Sequence, residues 1–135
     1  MPTTPLPLVS AVTAGILIIM QMILTIAVVR ARIGNRQSLG HGGHAELERA
    51  IRRHGNFAEN AAIFIAGFTL LELIGASRWS LTIMCGVFVL GRISHIVGLS
   101  LPTSVNAFRR IGIVATVLIG FALGVRLILS AWSLM

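Results

Sequence analysis

The amino-acid sequence predicts an all-α integral membrane protein built as a bundle of four helices. Of its 135 residues, 56% are hydrophobic and only 11% are charged. A soluble domain of average composition has about 25% charged residues, so this chain is too apolar for that class. Four apolar stretches are each long enough to cross a bilayer, which takes about 20 helical residues. One domain, residues 1–135, accounts for the whole length.

The helices are predicted in chain order from these apolar stretches and from the polar segments between them. The first is expected at about residues 7–32, and its apolar run is too long for a cleaved signal peptide. The second is expected at about 45–76, where a polar lead-in runs directly into an apolar span. The third is expected at about 79–100, and a loop around Pro102 then leads to the fourth at about 109–133.

The distribution of arginines predicts how the bundle is oriented in the membrane. Most of them lie between the first two helices or between the last two: Arg30, Arg32, Arg36, Arg49, Arg52, Arg53, Arg109 and Arg110. On the opposite side, the loop between the second and third helices has only Arg78. The positive-inside rule therefore places both basic loops in the cytoplasm and both termini outside.

A polar stripe is predicted along one face of the second helix, within an arc of about 100°. Its members are Glu48, Arg49, Arg52, Asn56 and Glu59. One interpretation is a basic collar that reaches back to the membrane surface, to which Arg53 and His54 can also belong. That collar explains Asn56 and Glu59 poorly, because a carboxylate at membrane depth is costly unless paired, and such residues are usually functional.

The third helix supplies candidate partners for this stripe. Arg92 and His95 are three residues apart on the same side of the helix, at a depth comparable with that of Glu59. A buried ion pair between Glu59 and Arg92 is expected from this placement. For His95, a packing role and a ligand-binding role are both open.

Arginines from several helices are expected at one level near the cytoplasmic face. Arg30 and Arg32 end the first helix, Arg52 lies in the second, and Arg109 and Arg110 begin the fourth. Such a group suits a small molecule with several carboxylates, each held by charge-assisted hydrogen bonds. No basic helix with an aromatic platform accompanies it, so nucleic acid is not an expected partner.

The other polar residues are interpreted as structural. Near the outer side, Glu72 is expected to pair with Arg126 or with Arg78. His41 and His44 lack a third ligand in the sequence, so no metal site is predicted.

Three parts of the sequence together resemble the MAPEG family, the membrane-associated proteins in eicosanoid and glutathione metabolism. They are "ERAIRRHGNFAEN" at residues 48–60, "GRISH" in the third helix and the basic start of the fourth helix. The most specific features are the Arg-x-x-x-Asn-x-x-Glu spacing and the Gly-Arg-x-x-His spacing. The loop "LGHGGHAEL" is similar to that of the small bacterial members.

The resemblance implies a homotrimer in a bacterial inner membrane that binds glutathione between neighbouring subunits, near the cytoplasmic face. The glutathione-binding residues it implies are Arg52, Asn56, Glu59, His95 and Arg110, with Arg30 from the adjacent subunit. Arg109 would be the catalytic arginine that stabilises the thiolate of glutathione, although the sequence pattern leaves Arg110 open as the alternative.

The activity implied is that of a glutathione-dependent transferase or peroxidase acting on hydrophobic electrophiles or lipid hydroperoxides that arrive through the membrane. Eicosanoid-forming members carry tyrosines where this chain has Asn60 and Leu99, so synthesis of leukotrienes or prostaglandins is not expected. The alternative is a non-catalytic membrane module of the same fold that binds lipid or a partner. A proton-coupled exporter is less favoured, because arginines near Glu59 would keep that carboxylate charged.

Overall fold

The computed structural model describes residues 6–103 and 105–135, which form four helices and no strand. The helices are α1 at Leu8–Gly34, α2 at Ala45–Leu73, α3 at Arg78–Ser100 and α4 at Ala107–Trp132. The all-α, four-helix prediction is therefore confirmed. The observed helix ends differ from the expected ones by three residues or fewer.

Three of the four helices, α1, α3 and α4, are long and apolar enough to cross a membrane. The longest helix, α2 with 29 residues, differs because its first half is charged. Its second half, residues 57–73, is apolar but also carries Glu59, Asn60 and Glu72. The four spans predicted from the sequence thus comprise three strongly apolar helices and one helix of mixed character.

The mixed helix α2 and its neighbour α3 are the two helices that each contact all three others. Phe64 of α2 stacks on Phe88 of α3 with ring centroids 4.0 Å apart, and Phe68 meets Phe88 edge-on at 5.8 Å. The outward faces of α1 and α4 are apolar; Ile19 is 63% exposed and Phe121 74%. In a bilayer these two faces are suited to contact with lipid tails.

Helices α3 and α4 pack closely through glycines. A Cβ atom added at Gly112 would lie 2.6 Å from the Cβ of His95 and 2.7 Å from the carbonyl oxygen of Gly91. A Cβ atom at Gly98 would lie 2.5 Å from Cγ of Arg109. Small residues let the backbones of membrane helices approach in this way, and here they bring the start of α4 against the end of α3.

At the end of the bundle that carries the α2–α3 loop, the carboxylate of Glu72 caps the first turn of α1. Its oxygens accept the backbone N–H groups of Val9 and Ser10 at 3.0 and 2.8 Å. The expected pairing of Glu72 with Arg126 or Arg78 is therefore wrong. The unpaired N–H groups and positive dipole end of a helix also attract a carboxylate, and Arg126 instead donates to Ser80 Oγ at 2.8 Å.

The loop between α1 and α2 is organised around Arg32. The Nη1 atom of Arg32 donates to the backbone carbonyls of Gln37, Ser38 and Gly40 at 3.3, 3.0 and 3.1 Å. The guanidinium thus replaces a helix or sheet as the partner of these loop carbonyls. Arg32 is therefore occupied in the loop and does not join the arginines near α4.

A polar cluster joins α1 to α2. Nε2 of His54 lies 2.6 Å from Nε2 of Gln21 and 3.1 Å from Oγ1 of Thr25. The interpretation of His54 as part of a solvated collar is wrong, because its ring is turned towards α1. Side-chain hydrogen bonds of this kind hold helices together where the surrounding medium is lipid.

Candidate functional site

A polar cavity of about 220 Å³ lies where the start of α2 meets the end of α3 and the start of α4. Its lining comprises Ala45, Glu48, Arg49, Arg52, Gly98, Leu99, Leu101, Pro102, Thr103 and Arg109. We call it the arginine cavity. It brings together two of the predicted site residues, Arg52 and Arg109, which are far apart in the sequence.

On the α2 side of the cavity, Arg52 forms an ion pair with Glu48, one helical turn earlier. Its Nε and Nη2 atoms lie 3.0 and 2.9 Å from Oε1 of Glu48. The Arg52 side chain is still 67% exposed. Because an exposed pair of this spacing is worth only about 0.3–0.5 kcal/mol, an incoming carboxylate can displace Glu48 from Arg52.

On the α4 side, Asn106 sets the position of Arg109. The Oδ1 atom of Asn106 accepts the backbone N–H of Arg109 at 3.0 Å, which is an N-cap on α4. The Nδ2 atom donates to the carbonyls of Gly98 at 2.9 Å and Thr103 at 3.2 Å. One side chain therefore fixes both where α4 begins and how it meets α3. Sequence reasoning missed this role, although asparagine before a helix is a recognised N-cap signal.

The other two predicted arginines do not line the arginine cavity. Arg110 is exposed on α4. Arg30 lines a separate cavity of about 540 Å³ between α1 and α2, together with Glu46 and Arg53. Arg30 and Arg52 therefore line different cavities of the chain, and contact of Arg30 with a ligand across a subunit interface stays a prediction.

Asn56 and Glu59 are exposed on the outward face of α2 and do not line the cavity. The expected Glu59–Arg92 ion pair does not form among the described residues, so that prediction is wrong. Arg92 is buried instead, 2% exposed, where its Nη2 donates to the carbonyl of Asn56 at 2.9 Å. Its guanidinium carbon also lies 5.7 Å from the centre of the Phe57 ring. A carbonyl and an aromatic ring inside the bundle thus take the place expected for Glu59.

The remaining predicted binding residue, His95, lies inside the bundle. It is 3% exposed and packs against α4 at Gly112. It does not line the arginine cavity. Within the chain the predicted site is therefore divided between the cavity, the outward face of α2 and the core.

The arginine cavity can bind an anion and stabilise negative charge on it. Three guanidinium groups line it, those of Arg49, Arg52 and Arg109, against the single carboxylate of Glu48. Among the residues that the structure describes, the lining contains neither cysteine nor histidine, and the hydroxyl it includes is that of Thr103. The reactive group of any chemistry here would therefore belong to the ligand.

Comparison with known proteins connects this geometry to a family. The MAPEG family matches residues 10–129, which is most of the chain. The chain belongs to the MAPEG family. The resemblance inferred from the polar spacings of α2 and α3 is thereby confirmed.

This MAPEG protein is 39% identical over 92 residues to the inner membrane protein YecN of Escherichia coli strain K12. The alignment covers 67% of this chain and 70% of YecN. YecN of Escherichia coli O6:H1 strain CFT073 matches with the same values. No solved structure matches significantly. This MAPEG protein is an integral membrane protein, and its curated relatives are inner membrane proteins by name.

Proposed function

We propose that this protein is a membrane-bound, glutathione-dependent transferase or peroxidase. The observation that supports this most is the meeting of Arg52 and Arg109 in one cavity. Glutathione carries two carboxylates and a thiol, and arginines hold carboxylates through charge-assisted, often bidentate hydrogen bonds. Membership of the MAPEG family supports the same ligand class.

In this proposal the arginine cavity activates the thiol of glutathione. A guanidinium near the sulfur favours the thiolate, which is the nucleophile. With an aryl halide, the thiolate forms a carbon–sulfur bond and the halide leaves with the bonding electrons. With a lipid hydroperoxide, two glutathione molecules are oxidised to their disulfide while the hydroperoxide is reduced to an alcohol and water. Arg109 is assigned the thiolate and Arg52 a carboxylate.

One protomer offers only part of such a site. The arginine cavity, at about 220 Å³, is smaller than the roughly 300–1,000 Å³ of typical small-molecule sites. Asn56 and Glu59 also face outward from α2, at a depth where contact with lipid would be costly. We propose that a neighbouring copy covers this face in a homotrimer and brings its Arg30 to the ligand.

A second candidate function is a non-catalytic module that binds lipid or a partner. The burial of Arg92 and His95 favours it, because both side chains contact the rest of the bundle and neither lines the cavity. In that case Arg92 and His95 stabilise the packing of α3 in the bundle and do not bind a ligand.

Binding and turnover measured on the same detergent-solubilised protein separate the two functions. We expect Arg52→Ala to weaken glutathione binding, and Arg109→Ala to lower turnover with a reactive aryl halide far more than affinity. Arg78→Ala, at the opposite end of the bundle and outside the lining of the arginine cavity, is the matched control and should bind and turn over glutathione as wild type does. No binding at millimolar glutathione would favour the non-catalytic module, and a loss of turnover only in Arg110→Ala would move the thiolate assignment to Arg110.

A further inference from the structure

An apolar groove lies between α1 and α3, away from the arginine cavity. Its larger part has a volume of about 540 Å³ and is lined by Leu8, Val9, Val12, Thr13, Ile16, Thr82, Cys85, Gly86, Val89 and Leu90. A smaller part of about 180 Å³ lies further along the same two helices and is lined by Met20, Ile23, Leu24, Ile93, Ile96 and Val97. We call the two parts together the α1–α3 groove.

The larger part of the groove presents almost only apolar surface to a ligand. Its two hydroxyls, on Thr13 and Thr82, each donate at 2.8 Å to a carbonyl of their own helix, those of Val9 and Arg78. At Gly86 an added Cβ would meet no atom within 4 Å, so the groove is open there. These walls suit a hydrocarbon chain.

The guanidinium of Arg78 supplies a positive charge at the outer end of the groove. Arg78 is the first residue of α3, and Thr82 and Gly86 follow it at intervals of four residues on the same helix face. Arg78 is exposed, and its guanidinium has no hydrogen bond or ion pair within residues 6–103 and 105–135. The charge of Arg78 interacts with the carboxylate of Glu72, but the oxygens of Glu72 already accept two backbone N–H groups of α1.

The depth of the groove fits one membrane leaflet. From Leu8 to Ile16, α1 rises about 12 Å along the larger part, within the roughly 15 Å of hydrocarbon that one leaflet provides. Trp79 follows Arg78 and is 76% exposed, which is typical of a residue at the membrane–water interface. The cation therefore lies at headgroup level and the groove below it at acyl-chain level.

We infer that the α1–α3 groove binds an anionic phospholipid of the outer leaflet, with an acyl chain in the groove and the phosphate on Arg78. A second copy of the chain is the less suitable occupant. The outward polar residues that need covering, Asn56 and Glu59, do not line this groove. The inference does not depend on the glutathione proposal.

Native mass spectrometry of the detergent-solubilised protein with added phosphatidylglycerol tests the acyl-chain part. Gly86→Leu fills the groove, whereas Gly15→Leu introduces the same change on α1 outside the lining, where an added Cβ also meets nothing within 4 Å. We expect wild type and Gly15→Leu to retain the lipid. Gly86→Leu should bind it about tenfold more weakly, since the lipid loses the burial of a few methylene groups.

The headgroup part is tested by comparing phosphatidylglycerol with zwitterionic phosphatidylethanolamine. Arg78→Gln should abolish the preference of the wild type for phosphatidylglycerol, and Arg78→Lys should keep it. Equal lipid retention by Gly86→Leu and wild type, or an unchanged preference in Arg78→Gln, would overturn the inference. A change of oligomeric state in Gly86→Leu would overturn it too, because the groove would then be an interface between copies.

Discussion

Replacing Asn106 by alanine should destabilise the bundle and impair the arginine cavity together. The substitution removes the cap on the backbone N–H of Arg109 and the two hydrogen bonds to the carbonyls of Gly98 and Thr103. Loss of an N-cap costs about 1 kcal/mol. Loss of the hydrogen bond to the part-buried Gly98 carbonyl costs about a further 1 kcal/mol, and loss of the exposed hydrogen bond to the Thr103 carbonyl costs less. We expect a loss of about 2–3 kcal/mol in the free energy of unfolding.

The assay combines thermal unfolding, followed by circular dichroism in detergent, with glutathione turnover on the same sample. Turnover should fall at temperatures where the variant is still folded, because an uncapped first turn of α4 no longer holds Arg109 in the cavity. Asn106→Ser is the control, since serine keeps the capping oxygen but loses both donors. Its loss of stability should be about half that of Asn106→Ala.

Two results would refute this reasoning about Asn106. One is an Asn106→Ala protein as stable and as active as wild type, which would mean that α4 begins independently of its cap. The other is Asn106→Ser as impaired as Asn106→Ala, which would assign the whole effect to the donor hydrogen bonds.

Three further predictions follow from single contacts. Glu72→Gln leaves one N–H of α1 without an acceptor and the other with a neutral one, and should lower stability by about 2 kcal/mol; an unchanged melting temperature would contradict the cap. Gly112→Ala should destabilise by forcing α3 and α4 apart, whereas Gly124→Ala, in open space, should stabilise by up to about 1 kcal/mol; equal melting temperatures would argue against close packing. Glu48→Gln frees Arg52 and should tighten glutathione binding about twofold by calorimetry, while weaker binding would mean that Glu48 holds the ligand's ammonium.

The sequence predicts the helices and the meeting of Arg52 with Arg109 for one physical reason. Spans of similar length, with their basic ends on one side, bring the start of α2 and the start of α4 to the same depth. Periodicity and charge therefore suffice to place side chains along the membrane normal. They do not determine which neighbour each side chain meets within that layer.

The ion pairs that the sequence predicts wrongly have one physical cause. Matching of opposite charges predicts Glu59 with Arg92 and Glu72 with Arg78 or Arg126, yet the real partners of Arg92 and Glu72 are backbone groups. A helix offers free N–H groups only at its start, and a carbonyl is reachable only from a particular side, so such pairings depend on helix rotation. Neither the composition of a helix nor the spacing of its polar residues specifies how that helix is rotated about its axis relative to its neighbours.

The most direct test of the central claim is a calorimetric titration of glutathione into the detergent-solubilised wild type, Arg52→Ala and Arg78→Ala proteins. The arginine cavity predicts saturable binding to wild type and Arg78→Ala, and clearly weaker binding to Arg52→Ala. Absence of binding to wild type, or equal binding to all three proteins, would contradict glutathione as the ligand of this cavity.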